Sequence, residues 1–268
     1  MDTVEVGGLR IAYERAGSGP PVVLVHGFVG DGHSTWGQQI EALSDEFTVV
    51  AWDAPGAGRS ADPPAWFRIE HFADCFTAFV RALGFEAAHL VGLSFGGILV
   101  VSAAARESGV ARSLALVGAY AGWRGSLGPD EATARLEKCL RLSEVTAEEF
   151  EQAMVPSMFS ATAASPAVTE FVASVRRFRP PGFRVMSRAS AEADLRAFLP
   201  EIRVPTLLVY GDHDARASLE VAEGLRSSIP ASRLVILPGV GHVSPVEAPE
   251  SVSRELRGFL RSVEHGQR

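Results

Sequence analysis

Lysine is nearly missing: Lys138 is the only one in 268 residues. Lysine and arginine together number 25 against 32 acidic residues, a net charge of −7. A basic face for nucleic acid is therefore not expected. The densest basic stretch, RRFR at 176–179, reads as a solvated helix end. Cysteine is scarce too. Cys75 and Cys139 lie in helix-like segments with no His or Cys at ligand spacing. That excludes a disulfide scaffold and a zinc site, and leaves two free, half-buried thiols. No apolar run approaches the ~18 residues that cross a membrane. The opening MDTVEVGGLRIAYERAG lacks a basic stretch followed by an apolar one, so no signal peptide is expected and a cytoplasmic protein is. HExxH, CxxC and a phosphate-cradling glycine loop are all missing, so neither metal nor cofactor is implied. Repeats and low-complexity segments are absent as well.

What is present suits a globular core. Hydrophobic residues make up 47% of the chain and charged ones 21%, and the length fits one large α/β domain or two small ones. Two short alternating runs around Gly7-Gly8 signal a hairpin. PPVVLVHGF carries a β-branched run at 22–25 that ends in glycine. A strand apolar on both faces implies burial on both, hence a parallel sheet under helices. Residues 47–53, 88–94, 113–120, 205–212 and 232–239 read the same way.

Helical patterns fall between these runs. Thr35-Trp36-Gly37-Gln38 fits a capping box. Phenylalanines at 72, 76 and 79 form an amphipathic stripe over 69–83. Two more helices are expected in SLEVAEGLRSSIP and PESVSRELRGFLRSV. The alternation predicts a mostly parallel, doubly wound sheet with helices on both faces. One region departs from it: 122–200 shows no convincing strand but carries helical charge patterns and many large apolar side chains. It is expected to be a helical lid inserted in a core formed by 1–121 and 201–268.

Ser94 stands out within that core. In Gly92-Leu93-Ser94-Phe95-Gly96 it ends an apolar strand and begins an alanine-rich helix. A sharp strand-to-helix turn strains the serine backbone and crowds its neighbours, which glycines relieve. The turn also lifts Oγ out of the sheet toward a helix N-terminus. A hydroxyl needs a base before it attacks. Of seven histidines, His242 is the one in a loop after a late strand, between glycines and a proline-bounded helix entry. An imidazole base needs an orienting acid. Asp212 and Asp214 both follow a buried strand; Asp214 is preferred as the acid, and Asp212 is better placed to hold the turn. The backbone N–H groups of Phe28 and Phe95 are the candidate oxyanion donors, with His26 bracing the Phe28 loop.

Five motifs then coincide in order: HGF at 26–28, DAPGAGRS at 53–60, GLSFGG at 92–97, GDHD at 211–214 and GHVSPVEAP at 241–249. With the order Ser94, Asp214, His242, the sequence resembles the α/β-hydrolase superfamily nearly end to end. The resemblance implies the α/β-hydrolase fold and gives Asp53 and Glu247 structural roles in their loops. Serine at the elbow argues against epoxide hydrolases and haloalkane dehalogenases, and Phe95 against prolyl aminopeptidases. The pattern is closest to small carboxylesterases, lactonases, C–C bond hydrolases of ring-cleavage products and cofactor-free perhydrolases.

The expected activity is therefore cleavage of a small, largely apolar carboxylic ester or lactone through an acyl-enzyme. C–C hydrolysis or perhydrolysis is the alternative, and a ligand-binding protein on the same scaffold a remote one. Trp123, Met158, Phe159 and Val243, with the side chains of Phe28 and Phe95, are candidates for the substrate wall. Such walls favour an uncharged acyl group.

Overall fold

A glycine pair makes the first turn. In the computed structural model, which describes residues 1–230 and 232–266, β1 (Asp2–Val6) and β2 (Leu9–Ala16) form an antiparallel hairpin. Gly7 and Gly8 join them with φ of 56° and 80°. Positive φ at both positions matches the twist of the flanking strands, and only glycine adopts it without strain.

Strands and helices then alternate: β3 (Pro21–Val25), α1 (Gly32–Leu43), β4 (Thr48–Trp52), α2 (Ile69–Ala82), β5 (Ala88–Leu93), α3 (Phe95–Arg106) and β6 (Ala111–Val117). Five α-helices follow: α4 (Trp123–Leu127), α5 (Pro129–Leu142), α6 (Ala147–Met154), α7 (Pro166–Val175) and α8 (Pro180–Glu192). No strand interrupts them among the described residues. The alternation resumes with β7 (Thr206–Gly211), α9 (Leu219–Ser228), β8 (Ser232–Leu237), α10 (Ser244–Glu247) and α11 (Pro249–Gly266).

The eight strands form one sheet in the order β1-β2-β4-β3-β5-β6-β7-β8. β2 pairs antiparallel with β1 and β4, and every later pairing is parallel. All residues of β4, β5 and β7 are buried, as strands covered on both faces must be. α2 and α3 pack on one another beside the sheet, and α1 packs on α11. The phenylalanine stripe of α2 is wholly buried, with Phe76 edge-on to Trp52 at 5.0 Å. Among the described residues no helix is long and apolar enough to cross a membrane.

Three local expectations are corrected. The box capping α1 lies one turn before Thr35. Asp31 Oδ1 accepts from Ser34 N–H at 2.8 Å, and Ser34 Oγ accepts from Asp31 N–H at 3.1 Å. Asp53 Oδ1 takes the next free donor, Gly32 N–H, at 2.9 Å. These carboxylates satisfy two of the first turn's N–H groups, at Gly32 and Ser34, so the helix starts there. Thr35 sits inside it with an unpartnered, buried hydroxyl. Second, β8 is an edge strand bonded only to β7, and Ile236 is 38% exposed. Third, both thiols are buried rather than half-buried; burial pushes the Cys75 thiol up to about 12.

A buried histidine fastens α11 to the sheet. His89 Nε2 donates to Glu264 Oε1 at 3.0 Å, and Nδ1 accepts from Ser113 Oγ at 2.8 Å. A carboxylate only accepts, which fixes this tautomer. Burial pushes His89 below the ordinary histidine range, against the pull of Glu264 and with the help of Arg112.

Two outcomes follow. Asp31→Ala should cost about 1 kcal/mol in urea unfolding while Thr35→Val costs little; the reverse ranking would return the cap to Thr35. The folded state resists the proton that an unfolded histidine takes near pH ~6.5. Stability contributed by a neutral His89 is therefore present above that value and lost as pH falls below it. Melting temperature should decline less steeply between about pH 7.5 and 5 in His89→Gln than in the parent.

Candidate active site

Four loops at the carboxyl ends of β3, β5, β7 and β8 carry the candidate triad and oxyanion donors, while Trp123, Met158 and Phe159 lie in the helical stretch after β6. Open parallel sheets build sites on that edge. Ser94 fills the one-residue gap between β5 and α3, with φ 54° and ψ −112°. It is the only non-glycine residue at positive φ among those described, a conformation costing roughly 1–3 kcal/mol. The surroundings hold it there. A Cβ on Gly92 would lie 2.3 Å from the Gly96 carbonyl carbon, and one on Gly96 would lie 2.3 Å from Val25 O. Only glycine lets the start of α3 press this closely on β3 and β5. Ser94 makes no side-chain bond to its own helix, unlike an ordinary N-cap serine.

The imidazole and its acid are joined. His242 Nδ1 lies 2.8 Å from Asp214 Oδ2, with both side chains almost fully buried. The acceptor carboxylate assigns the ring proton to Nδ1. Nε2 is then the basic nitrogen, and it is buried with no hydrogen-bond partner. Asp214 Oδ1 accepts from Arg216 N–H and Ala217 N–H, each at 2.8 Å. Burial alone would raise the Asp214 carboxyl. The facing imidazole and the two N–H donors overcome it and hold the group below its ordinary range. Asp212 bonds outside its own turn: its Oδ1 accepts from Gly239 N–H in the loop after β8, at 2.6 Å.

No hydrogen bond joins Ser94 Oγ to His242 among the described residues. The two nevertheless flank one point of the chain. Ser94 N–H donates to Val117 O at 2.9 Å, and a Cβ on the adjacent Gly118 would lie 3.0 Å from His242 Nδ1.

Braces hold the Phe28 loop. His26 Nε2 accepts from Ala54 N–H at 2.9 Å, so Nδ1 carries the proton and donates to Gly27 O. Burial keeps His26 below its ordinary range, against nearby Asp53 and Asp31. Asp53 spans its turn through Gly32 N–H and, at 2.8 Å, Arg59 N–H. The N–H groups of Phe28 and Phe95 have no hydrogen-bond partner among the described residues. Unpaired donors are rare in buried backbone. Glu247 serves the other side, accepting from Gly241 N–H at 2.9 Å and from Ser160 N–H at 3.2 Å.

The expected substrate wall is met unevenly. Phe28 stacks on Phe183 at 5.3 Å and meets Trp123 edge-on at 5.8 Å. Val243 N–H donates to Met158 O at 2.9 Å. Phe159 is only half-buried and packs edge-on against Phe171. The Phe95 ring is a correction: it lies against Phe72 at 5.2 Å, because the elbow turns it into the α2–α3 interface. Arg216 was missed, although its place two residues after Asp214 was a usable signal. Its guanidinium carbon sits 5.3 Å from the Phe28 ring centroid. A cavity of about 630 Å³ lies between the 28–34 loop and α7 and α8, lined by Phe28 and Phe183 but by neither Ser94 nor His242. Among the described residues no group of three or more His, Cys, Asp or Glu is placed to hold a metal.

The chain is similar to known proteins of one family. The family described as "alpha/beta hydrolase fold" matches residues 20–249. A pimeloyl-[acyl-carrier protein] methyl ester esterase of Vibrio vulnificus is 28% identical, over 92% of this chain and 96% of its own length. An esterase from Thermogutta terrifontis, solved with malate bound, superposes with a TM-score of 0.90 at 29% identity, covering 98% of this chain and 99% of that one. The enol-lactonase from Burkholderia xenovorans LB400 gives 0.88 at 26% identity, covering 97% and 100%. By this match and by its fold, the chain belongs to the alpha/beta hydrolase family and is an enzyme of the hydrolase type.

Proposed function

We propose that the enzyme cleaves a small carboxylic ester or lactone through an acyl intermediate on Ser94. The observation that carries the reading is the bare Nε2 of His242, a buried base whose opposite nitrogen is held by Asp214. A buried, unpartnered acceptor is unfavourable at rest and useful when a proton must arrive. Ser94 Oγ gives its proton to Nε2 as it attacks the carbonyl carbon. The imidazolium that forms is stabilised by Asp214. The carbonyl oxygen takes the negative charge and accepts from Phe28 and Phe95 N–H, at about 3 kcal/mol per donor in comparable sites. The intermediate collapses, the C–O bond to the leaving alcohol breaks, and Nε2 returns the proton to that oxygen. Water then gives a proton to Nε2 and attacks the acyl carbon; the C–Oγ bond breaks, Nε2 returns the proton to Ser94 Oγ, and the acid leaves.

Trp123, Met158, Phe159 and Val243 are the proposed substrate wall, and the helices of 122–200 the proposed lid. Malate binding and lactone cleavage by the similar structures support a small substrate.

Ser94→Ala should lower 4-nitrophenyl acetate turnover by several orders of magnitude with the fold intact by circular dichroism. Retention of more than about a tenth of the rate would remove Ser94 from the mechanism. Asp214→Asn should cost about 10⁴-fold, and Asp212→Asn far less; the opposite ranking would transfer the acid role. Faster turnover of a ring-cleavage dienone than of any short ester would move the assignment to C–C hydrolysis.

A further inference from the structure

One charge interrupts the proposed acyl wall. The Arg216 side chain leaves the acid loop and reaches Phe28, its Cζ 5.3 Å from the ring centroid. Nη1 donates to Ser157 Oγ at 2.9 Å. Ser157 precedes Met158, whose carbonyl accepts from Val243 N–H. The guanidinium therefore lies where the Phe28 loop, the histidine loop and the helical insertion meet. Arg135 stands beside it, 5.5 Å from the Trp123 ring centroid, and donates to Arg216 O at 3.3 Å and to Tyr120 Oη at 3.1 Å. Arg135 has a counter-charge in Glu131 at 3.0 Å. Arg216 makes no ion pair among the described residues.

That imbalance has a physical cost. Burial pushes Arg216 below its ordinary range and neighbouring Arg135 adds to the effect, against the pull of Tyr120, Cys139 and Asp214. An arginine nevertheless remains charged. Arg216 is half-buried rather than sealed from solvent, and the nearby Asp214 carboxylate is already engaged by His242 and two N–H groups, so the guanidinium keeps charge to offer an anion. One neutral hydroxyl and one aromatic ring compensate only in part. Nε and Nη2 have no hydrogen-bond partner among the described residues. Together they form the planar fork that matches a carboxylate edge-on.

We infer that Arg216 binds a free carboxylate on the acyl half of the substrate, so that the enzyme acts on monoesters or lactones of small dicarboxylic acids. This rests on the Ser94 ester reading and reverses the expectation of an uncharged acyl group. The rest of the wall remains apolar, which suits the methylene chain between the carboxylate and the reacting carbonyl.

Mono-4-nitrophenyl esters of succinic, glutaric and adipic acid, set against uncharged esters of equal chain length, supply the test. At least one anionic ester should exceed its neutral partner in kcat/KM by ~tenfold or more, mainly through KM. Arg216→Gln should collapse that ratio and Arg216→Lys should keep part of it, since a lysine retains charge without the fork. A purely structural Arg216 would lower both ester classes equally and leave the ratio alone, which would overturn the inference. So would a preference for neutral esters in the parent enzyme at every chain length, a result that needs no variant to fold. Calorimetry with succinate, glutarate and adipate on Ser94→Ala separates the two readings. Diacid binding that Arg216→Gln abolishes, beside a parent enzyme that turns over no ester, supports the anion site and sinks only the ester chemistry. Ester turnover without diacid binding does the opposite.

Discussion

The close approach of α3 to the ends of β3 and β5 governs the site. It is possible because residues 92 and 96 carry no side chain in the way. Once the helix starts there, Ser94 is held at positive φ and its hydroxyl makes no bond to the helix it begins. The strain is local, and the buried strands on either side, worth far more than a few kcal/mol, hold it in place. The same approach leaves the first N–H of α3 unpaired beside the Phe28 loop.

The remaining groups arrive on separate loops, each tied by hydrogen bonds before any substrate is present. His26 and Asp53 fix the Phe28 side, Glu247 fixes the histidine side, and Asp214 is itself held by two N–H donors. Such preorganisation matters because a charge developing in a dry site cannot wait for dipoles to turn. The neutral, buried His26 contributes geometry without adding a competing positive charge.

Much of this was legible in the chain. Continuous apolar runs marked the strands because parallel sheets bury both faces. The elbow, the acid loop and the histidine loop were legible because each needs particular residues at fixed short spacings. What escaped depends on partners distant in sequence. Asp31 outcompetes Thr35 as a cap partly because Asp53, 21 residues beyond Gly32, takes the next donor. β8 resembles a buried strand until its place at the sheet's edge is known. The Phe95 ring turns toward Phe72 for reasons of helix packing. Arg216 reads as a surface charge until its path to Phe28 and Ser157 is seen.

Glu247 reaches two parts of the molecule at once: Gly241, next to the imidazole, and Ser160, in the stretch between α6 and α7. Its carboxylate makes mechanical coupling unavoidable. Movement of the stretch around Ser160 must either tear those bonds or drag the base along. Access to the centre and alignment of its proton acceptor are therefore not independent variables in this protein.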